Sequence, residues 1–396
     1  MSQPRLVYLR TIGLGNFIAA IILQSALGIF LAHGYDFRVN YVAGRNIASG
    51  LSPYIGGGLT GDLAAGYGPL VQGMGETPLW ALYMGLAYIL SDGQVYLFNI
   101  ISKTPIILAN IALSYIAVRR GCDGMFFLLN PFTLLVTASW GKPDNMATLL
   151  GILSLLCRWG PLRSSLTIST SLLVKPIGLS LAASYIGYFR RQSKMSVLVF
   201  VTASTTLSMI LFLMPFKILS WPLQTVVEGL PNWFKPAGGI SPLNIVEALA
   251  GKQELPDSLL VLGYLAPMSI PILMVISYLH PPSRPEKAIS LALLGSLLFF
   301  SLRPWVSEQN LFIILTLIIL VNRRLPTKLL WIVPLLFSLA NLSLPQNLYL
   351  VRPSIIGELQ LIDGMPRLLI RMALSLIWLA LVWKTVLKAG MLRWRD

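Results

Sequence analysis

Apolar runs of about 15 to 25 residues recur along this chain, the length range of membrane-crossing helices, and they limit what it can fold into. In hydrocarbon no water is available to backbone N–H and C=O groups, so such a chain closes its hydrogen bonds within helices or in a closed barrel. Composition agrees. The 396 residues are 55% hydrophobic and only 11% charged, where a soluble domain carries about 25% charged residues. No period-2 alternation of the barrel kind is present. The sequence therefore predicts an all-α, polytopic integral membrane protein without a large soluble domain.

Thirty Lys and Arg against fifteen Asp and Glu give a net charge of +15. The basic residues fall in short groups between apolar runs, which is the pattern of cytoplasmic loops and not of a nucleic-acid surface. These groups are Arg5/Arg10, Arg119/Arg120, Arg158/Arg163, Arg190/Arg191/Lys194, Arg284/Lys287, Arg323/Arg324/Lys328 and Lys384/Lys388/Arg393/Arg395. Placing all of them in the cytoplasm requires two readings. Thr77 to Leu90 becomes a juxtamembrane helix, and Ser164 to Phe189 becomes two half-spans broken at Lys175-Pro176, where proline removes a backbone donor. About twelve transmembrane helices result, the first running from about Leu6 to Ala32 as a retained span, with both termini cytoplasmic. The chain reads as one domain, 1–396. Its first external loop, 33–93, carries juxtamembrane helices, and a second large external loop covers 216–257. Cys122 and Cys157 suggest neither an external disulfide nor a metal site.

Most polar candidates then fall on the external side. Asp36 opens the stretch Asp36 to Tyr54, in which Val39, Val42, Ala43, Ile47 and Leu51 recur at helical spacing against polar Arg38, Arg45 and Asn46. A carboxylate there serves as a general base if desolvation raises its pKa, or it caps the helix beginning at Phe37. Asp144 sits in the turn Trp140-Gly-Lys-Pro-Asp-Asn145, where a plain turn role is the alternative. Lys175, Lys103 and Arg303 are cations suited to the charge on a departing phosphate. Snorkelling is the alternative for Lys103, and pairing with Glu308 the alternative for Arg303. Glu308, Gln309 and Trp305 offer hydrogen bonds for hydroxyls and a flat face for a sugar ring. Trp80, Trp221 and Trp233 are expected in interfacial belts. His33 and His280 look isolated.

Asp36 to Tyr54 with Tyr67-Gly-Pro-Leu70, Leu129-Asn-Pro131 leading to Gly141-Lys-Pro-Asp-Asn-Met146, and Leu173-Val-Lys-Pro176 resemble segments of the GT-C superfamily. Val306-Ser-Glu-Gln-Asn310 is a looser match. The nearest resemblance is to the polyprenyl-phosphate-mannose-dependent mannosyltransferases, including the catalytic subunit of GPI mannosyltransferase I and bacterial relatives. The resemblance implies a GT-C-like fold and inverting transfer of a hexose, mannose by the family, from a dolichyl- or undecaprenyl-phosphate sugar to a hydroxyl on the non-cytoplasmic face. It makes Asp36 and Asp144 the catalytic acids, and Lys175 the residue near the donor phosphate, with Lys103 and Arg303 as further phosphate-binding candidates. Glu308, Gln309, Trp305, Tyr54 and Arg45 become candidates for sugar or acceptor binding.

The expected partners are the polyprenyl-phosphate-linked donor, membrane lipid, and a glycan, glycolipid or protein acceptor, with no nucleic acid. No cofactor is expected: the chain has Asp36-Phe-Arg38 where many members carry an Asp-x-Asp or Glu-x-Asp, so a divalent metal is unsupported. The expected location is the plasma membrane of a bacterium or archaeon, or the ER membrane. The competing reading is a multispan transporter or flippase of a lipid-linked or small polar substrate, which would more often show mid-membrane charges in matched halves.

Overall fold

The computed structural model describes Tyr8 and residues 11–229, 235–246, 253–324, 326–360 and 364–391. The start of the first apolar segment, Arg5, Arg10, Trp233, Arg393 and Arg395 lie outside the described residues. The described chain is overwhelmingly helical. Its extended elements are two-residue pairs: β1 (Gly57–Gly58) antiparallel to β2 (Leu70–Val71), and β3 (Gly238–Gly239) parallel to β4 (Trp305–Val306).

The main helices are α1 (Leu14–Phe30), α2 (Gly34–Ala48), α3 (Pro78–Ser91), α4 (Val95–Arg119), α5 (Asp144–Cys157), α6 (Pro161–Val174), α7 (Ala182–Gln192), α8 (Lys194–Ile218), α9 (Val261–Leu279), α10 (Ala288–Leu302), α11 (Leu311–Asn322), α12 (Lys328–Ala340) and α13 (Met365–Lys388). Among the described residues, five helical segments are long and apolar enough to cross a membrane: Val95–Arg119, Lys194–Ile218, Asp257–Leu279, Pro285–Leu302 and Met365–Lys388. This is the chemistry of a membrane protein.

Helices run back and forth between two chemically distinct ends. Arg158 at the close of α5 meets Glu286, just before α10, and Arg191 at the close of α7 donates to the Ser283 carbonyl. Sequence groups of basic residues thus gather at one end. Asp144 opens α5 at the other end, where Asn310, just before α11, donates to it over 2.8 Å. The 14 residues of α5 and the 12 of α11 separate the ends, roughly 18 to 21 Å at 1.5 Å per residue.

The core between them is apolar but crossed by one polar network. Asn145 donates to Asn110, and Asn110 donates to Gln24 and Thr137, over 2.7 to 2.9 Å. Every link is buried, so the network ties α1, α4 and α5 in one register instead of leaving orphaned amides.

Local expectations hold in several places. A helix does form where 77–90 was expected to be helical, α3, and it lies along α2, which buries Phe37, Val39, Val42 and Ala43. The helix of residues 161–174 stops at Val174, and a tighter turn, Pro176–Leu181, follows Lys175. Other expectations fail. α2 begins at Gly34, with His33 in the capping position, so Asp36 lies inside the first turn and is not the cap. Asp144 starts a helix and does not sit in a turn. Trp80 is 2% exposed inside the core, and Trp221 is buried edge-on to Tyr54, so neither belongs to an interfacial belt.

Candidate functional site

Trp140, Gly141 and Lys142 bring the site together. The chain reaches them through a stretch of π-helix, Leu135–Ser139, a widened turn often found at functional sites. Gly141 then adopts φ +87°, and a Cβ there would lie 2.7 Å from the Lys103 side chain. Only glycine makes that reversal at that distance. The turn aims Trp140 and Lys142 at α2. Trp140 Nε1 donates to Asp36 Oδ2 over 2.6 Å, and Lys142 Nζ lies 2.7 Å from Asp36 Oδ1. His33 stacks on the Trp140 ring at 4.4 Å and brings Nδ1 to 3.2 Å from Asp36 Oδ2. His33 is therefore part of the cluster and not isolated.

Lys142 also donates to Glu76 over 3.0 Å. Glu76 precedes α3, whose Thr77 hydroxyl donates to the Leu173 carbonyl at the end of α6. That contact sets Glu76 beside the break where Lys175 emerges. Lys175 pairs with Asp144, which is 1% exposed and takes its second hydrogen bond from Asn310. Lys175 also lies within electrostatic reach of Lys142 and Glu76. Asp36, Glu76, Lys142, Asp144 and Lys175 thus form one charged group drawn from four separate stretches of chain.

The charge balance settles Asp36's resting state. Burial alone would raise its pKa, but Lys142, helped by His33, outweighs burial and holds the carboxyl well below its ordinary value. This corrects the expectation of a desolvated base with a raised pKa. The partner shift has the matching sign: burial would lower Lys142, yet Asp36 and Glu76 push it well above the usual lysine range. In this resting state Asp36 is fully ionised and a weak base.

The other predicted site residues separate into groups. Arg303 lies within electrostatic range of Asp144, with its guanidinium 5.8 Å from the Phe299 ring centre. It does not pair with Glu308, whose carboxylate accepts from Ser343 at 2.7 Å and Asn341 at 3.1 Å. Glu308, Gln309 and Asn310 form a buried turn at the same end, and Gln309 leaves its Oε1 buried without a partner. Trp305 donates its indole N–H to Ser307 over 3.0 Å. Its strand pairs with β3, where Gly239, at φ +63°, comes too close to Val306 for any Cβ. The second large loop is therefore fixed to this turn.

Tyr54 stacks on Phe216 at 5.4 Å. With Met74, Glu76, Thr77, Phe212 and Thr225 it lines a cavity of about 110 Å³ that reaches Glu76. Two predicted residues do not join the cluster. Lys103 is buried in α4 and donates to the Leu31 carbonyl and, over 2.7 Å, to the Ser139 carbonyl. It braces the backbone on either side of Asp36 and Trp140 and does not snorkel. Arg45 sits nine residues beyond Asp36 on α2, about 13 Å along the helix axis, against Gly57.

Lys142 and Glu76 are the main residues that sequence reasoning left unassigned. Lys142 stood inside the Gly141-Lys-Pro-Asp motif and was the available signal. No local pattern marked Glu76. Among the described residues no group of three or more His, Cys, Asp or Glu side chains is arranged to hold a metal ion. No protein-family model matches the chain, and comparison with characterised proteins finds no significant match.

Proposed function

We propose that the chain is a membrane glycosyltransferase that moves a hexose, mannose on the sequence resemblance, from a polyprenyl-phosphate carrier to a hydroxyl acceptor. The observation that carries this reading is the buried convergence of Asp36, Lys142, Glu76, Asp144 and Lys175 at one end of the bundle. Three carboxylates paired with two lysines supply what glycosyl transfer from a phosphate needs: a base for the incoming hydroxyl and fixed cations for the departing oxygens. A transporter reading has no comparable observation in its favour.

In the proposed reaction the acceptor oxygen attacks the anomeric carbon from the face opposite the phosphate. The carbon–oxygen bond to phosphate breaks with inversion, its electron pair stays on the carrier phosphate, and the acceptor proton passes to Asp36. Lys142 and Lys175 carry the growing negative charge. Lys142 has a second role. While it is bound to Asp36 it keeps that carboxylate a poor base, and a donor phosphate that draws Lys142 away restores basicity when substrate is present. Glu308, Gln309 and Trp305 line the sugar side, and the Tyr54–Glu76 cavity admits the acceptor.

The membrane arrangement belongs to the same proposal. Twelve crossings result if α1, α4, the helical run 125–139 and α5 to α13 each traverse the bilayer, with α2 and α3 at the interface. The basic end then faces the cytoplasm and the charged cluster faces away from it.

A structure with a non-transferable polyprenyl-phosphonate sugar bound tests the assignment. Density for the phosphonate between Lys142 and Lys175, with Lys142 moved off Asp36, is expected. A ligand bound only at the basic end would refute the proposal.

A further inference from the structure

Three side chains among the described residues are in polar contact with the Asp36 carboxylate, and one of them has no part in the proposed transfer. Lys142 holds Oδ1 at 2.7 Å, and Trp140 donates to Oδ2 over 2.6 Å. The third is His33, whose Nδ1 lies 3.2 Å from Oδ2. Its ring lies flat on Trp140, with centres 4.4 Å apart and planes 14° from parallel. The residue is 7% exposed, yet Nδ1 makes no aligned hydrogen bond. A buried nitrogen left in that state costs stability, so an orphan beside the reacting carboxylate needs a reason.

The chemistry at Asp36 supplies one. Transfer leaves the acceptor's proton on a carboxyl whose resting state is fully ionised and bound to Lys142. That proton has to leave before Lys142 returns to Oδ1. Lys142 cannot take it, because an ammonium has only donors, and the indole N–H of Trp140 is likewise a donor only. A neutral imidazole carries one unprotonated nitrogen. Of the three contacts, His33 alone can accept.

We propose that His33 is the proton relay of this site, taking the acceptor's proton from Asp36 and passing it to water between turnovers. The relay rests on the proposed sugar transfer and adds the step that resets its base. Once donor phosphate has drawn Lys142 away, Trp140 holds the carboxyl beside His33. The acceptor O–H bond breaks as Asp36 gains the proton. The new carboxyl O–H then breaks in turn, leaving its electron pair on Asp36, and the Nδ1 lone pair forms an N–H bond. The resulting imidazolium lies against a restored carboxylate and gives its proton to water before Lys142 closes the pair again. His33 acts through Asp36 and does not touch the sugar.

The test uses the full chain with labelled mannosyl polyprenyl phosphate, read as label leaving the lipid for octyl mannoside or water. His33→Phe keeps a flat ring over Trp140 but has no nitrogen. Its kcat should fall by about 10²-fold, the low end for a positioned proton-transfer group, with donor KM little changed. His33→Ala opens a ring-sized space beside Asp36. Imidazole added to that variant should raise its rate about tenfold, while pyrazole, of the same shape but far less basic, should not. If His33 only packs against Trp140 and orients Asp36, the Phe variant keeps the wild-type rate or pyrazole rescues as well as imidazole. Either result, or no rescue by imidazole, would overturn the relay and leave the transfer reading standing. Absence of transfer by wild type would overturn both.

Discussion

Asp36→Asn is expected to lower kcat for sugar transfer by about 10²- to 10⁴-fold, the range associated with a positioned general base, while the protein still folds. The asparagine is nearly isosteric and still accepts the Trp140 N–H. Lys142 keeps Glu76 at 3.0 Å, so removing one charge does not leave it buried alone. Loss of activity therefore reports chemistry and not collapse, and donor KM should change less than kcat. The same variant gives a pH readout. Asp36's pKa is depressed in the folded state, so its stabilising contribution is fully present above the ordinary carboxylate value of about 3.9 and is lost as pH falls below it. The Tm difference between wild type and Asp36→Asn should stay constant from pH 8 to pH 5 and shrink in more acidic buffer. A difference already gone at pH 6 would mean that Lys142 does not hold Asp36 in this way.

Lys175→Met is expected to cause the largest loss of stability, about 3 to 5 kcal/mol, because it leaves the Asp144 carboxylate buried with no opposing charge in direct contact. Asn310 remains as a donor, and one neutral hydrogen bond does not replace an ion pair. Combining it with Asp144→Asn removes both charges and should recover most of that stability. Replacing a buried pair outright is often near neutral, whereas breaking one is not. Transfer should remain lost in the double variant if Lys175 carries phosphate charge. Recovery of activity together with stability would reduce the pair to a structural strut. Thermal unfolding and initial rates on the same preparations separate the two outcomes.

Much of this was legible before any coordinates, and for physical reasons. Apolar length and the grouping of Lys and Arg predicted helices running between a basic end and a site end, and Arg158, Arg191 and Lys287 do collect together. Pro176 marked the break that frees Lys175. Asp36, Asp144 and Lys175 could be singled out because a charge in so apolar a chain is costly unless it is used. Their mutual contacts could not be read, because they depend on helix phase and on one backbone reversal. Gly141 turns Lys142 toward Asp36, and neighbouring residues in the motif gave no hint of which acid it would meet. Glu76 sits near Lys142 only because Thr77 is tied to the end of α6, a contact across 96 residues of chain. Lys103 failed in the opposite sense. It was counted as a phosphate ligand for being a lysine within a span, but its ammonium serves two carbonyls. Asp36's acidity was misjudged for the same reason: desolvation was anticipated, and the lysine that outweighs it was not.

Incubating the purified chain with labelled mannosyl polyprenyl phosphate, beside a parallel reaction supplied with a nucleotide-activated sugar, tests the central claim most directly. The account predicts label transfer to a hydroxyl acceptor from the lipid-phosphate donor alone, with inverted configuration at the anomeric carbon. Transfer from the nucleotide sugar instead, or retained configuration in the product, would contradict it.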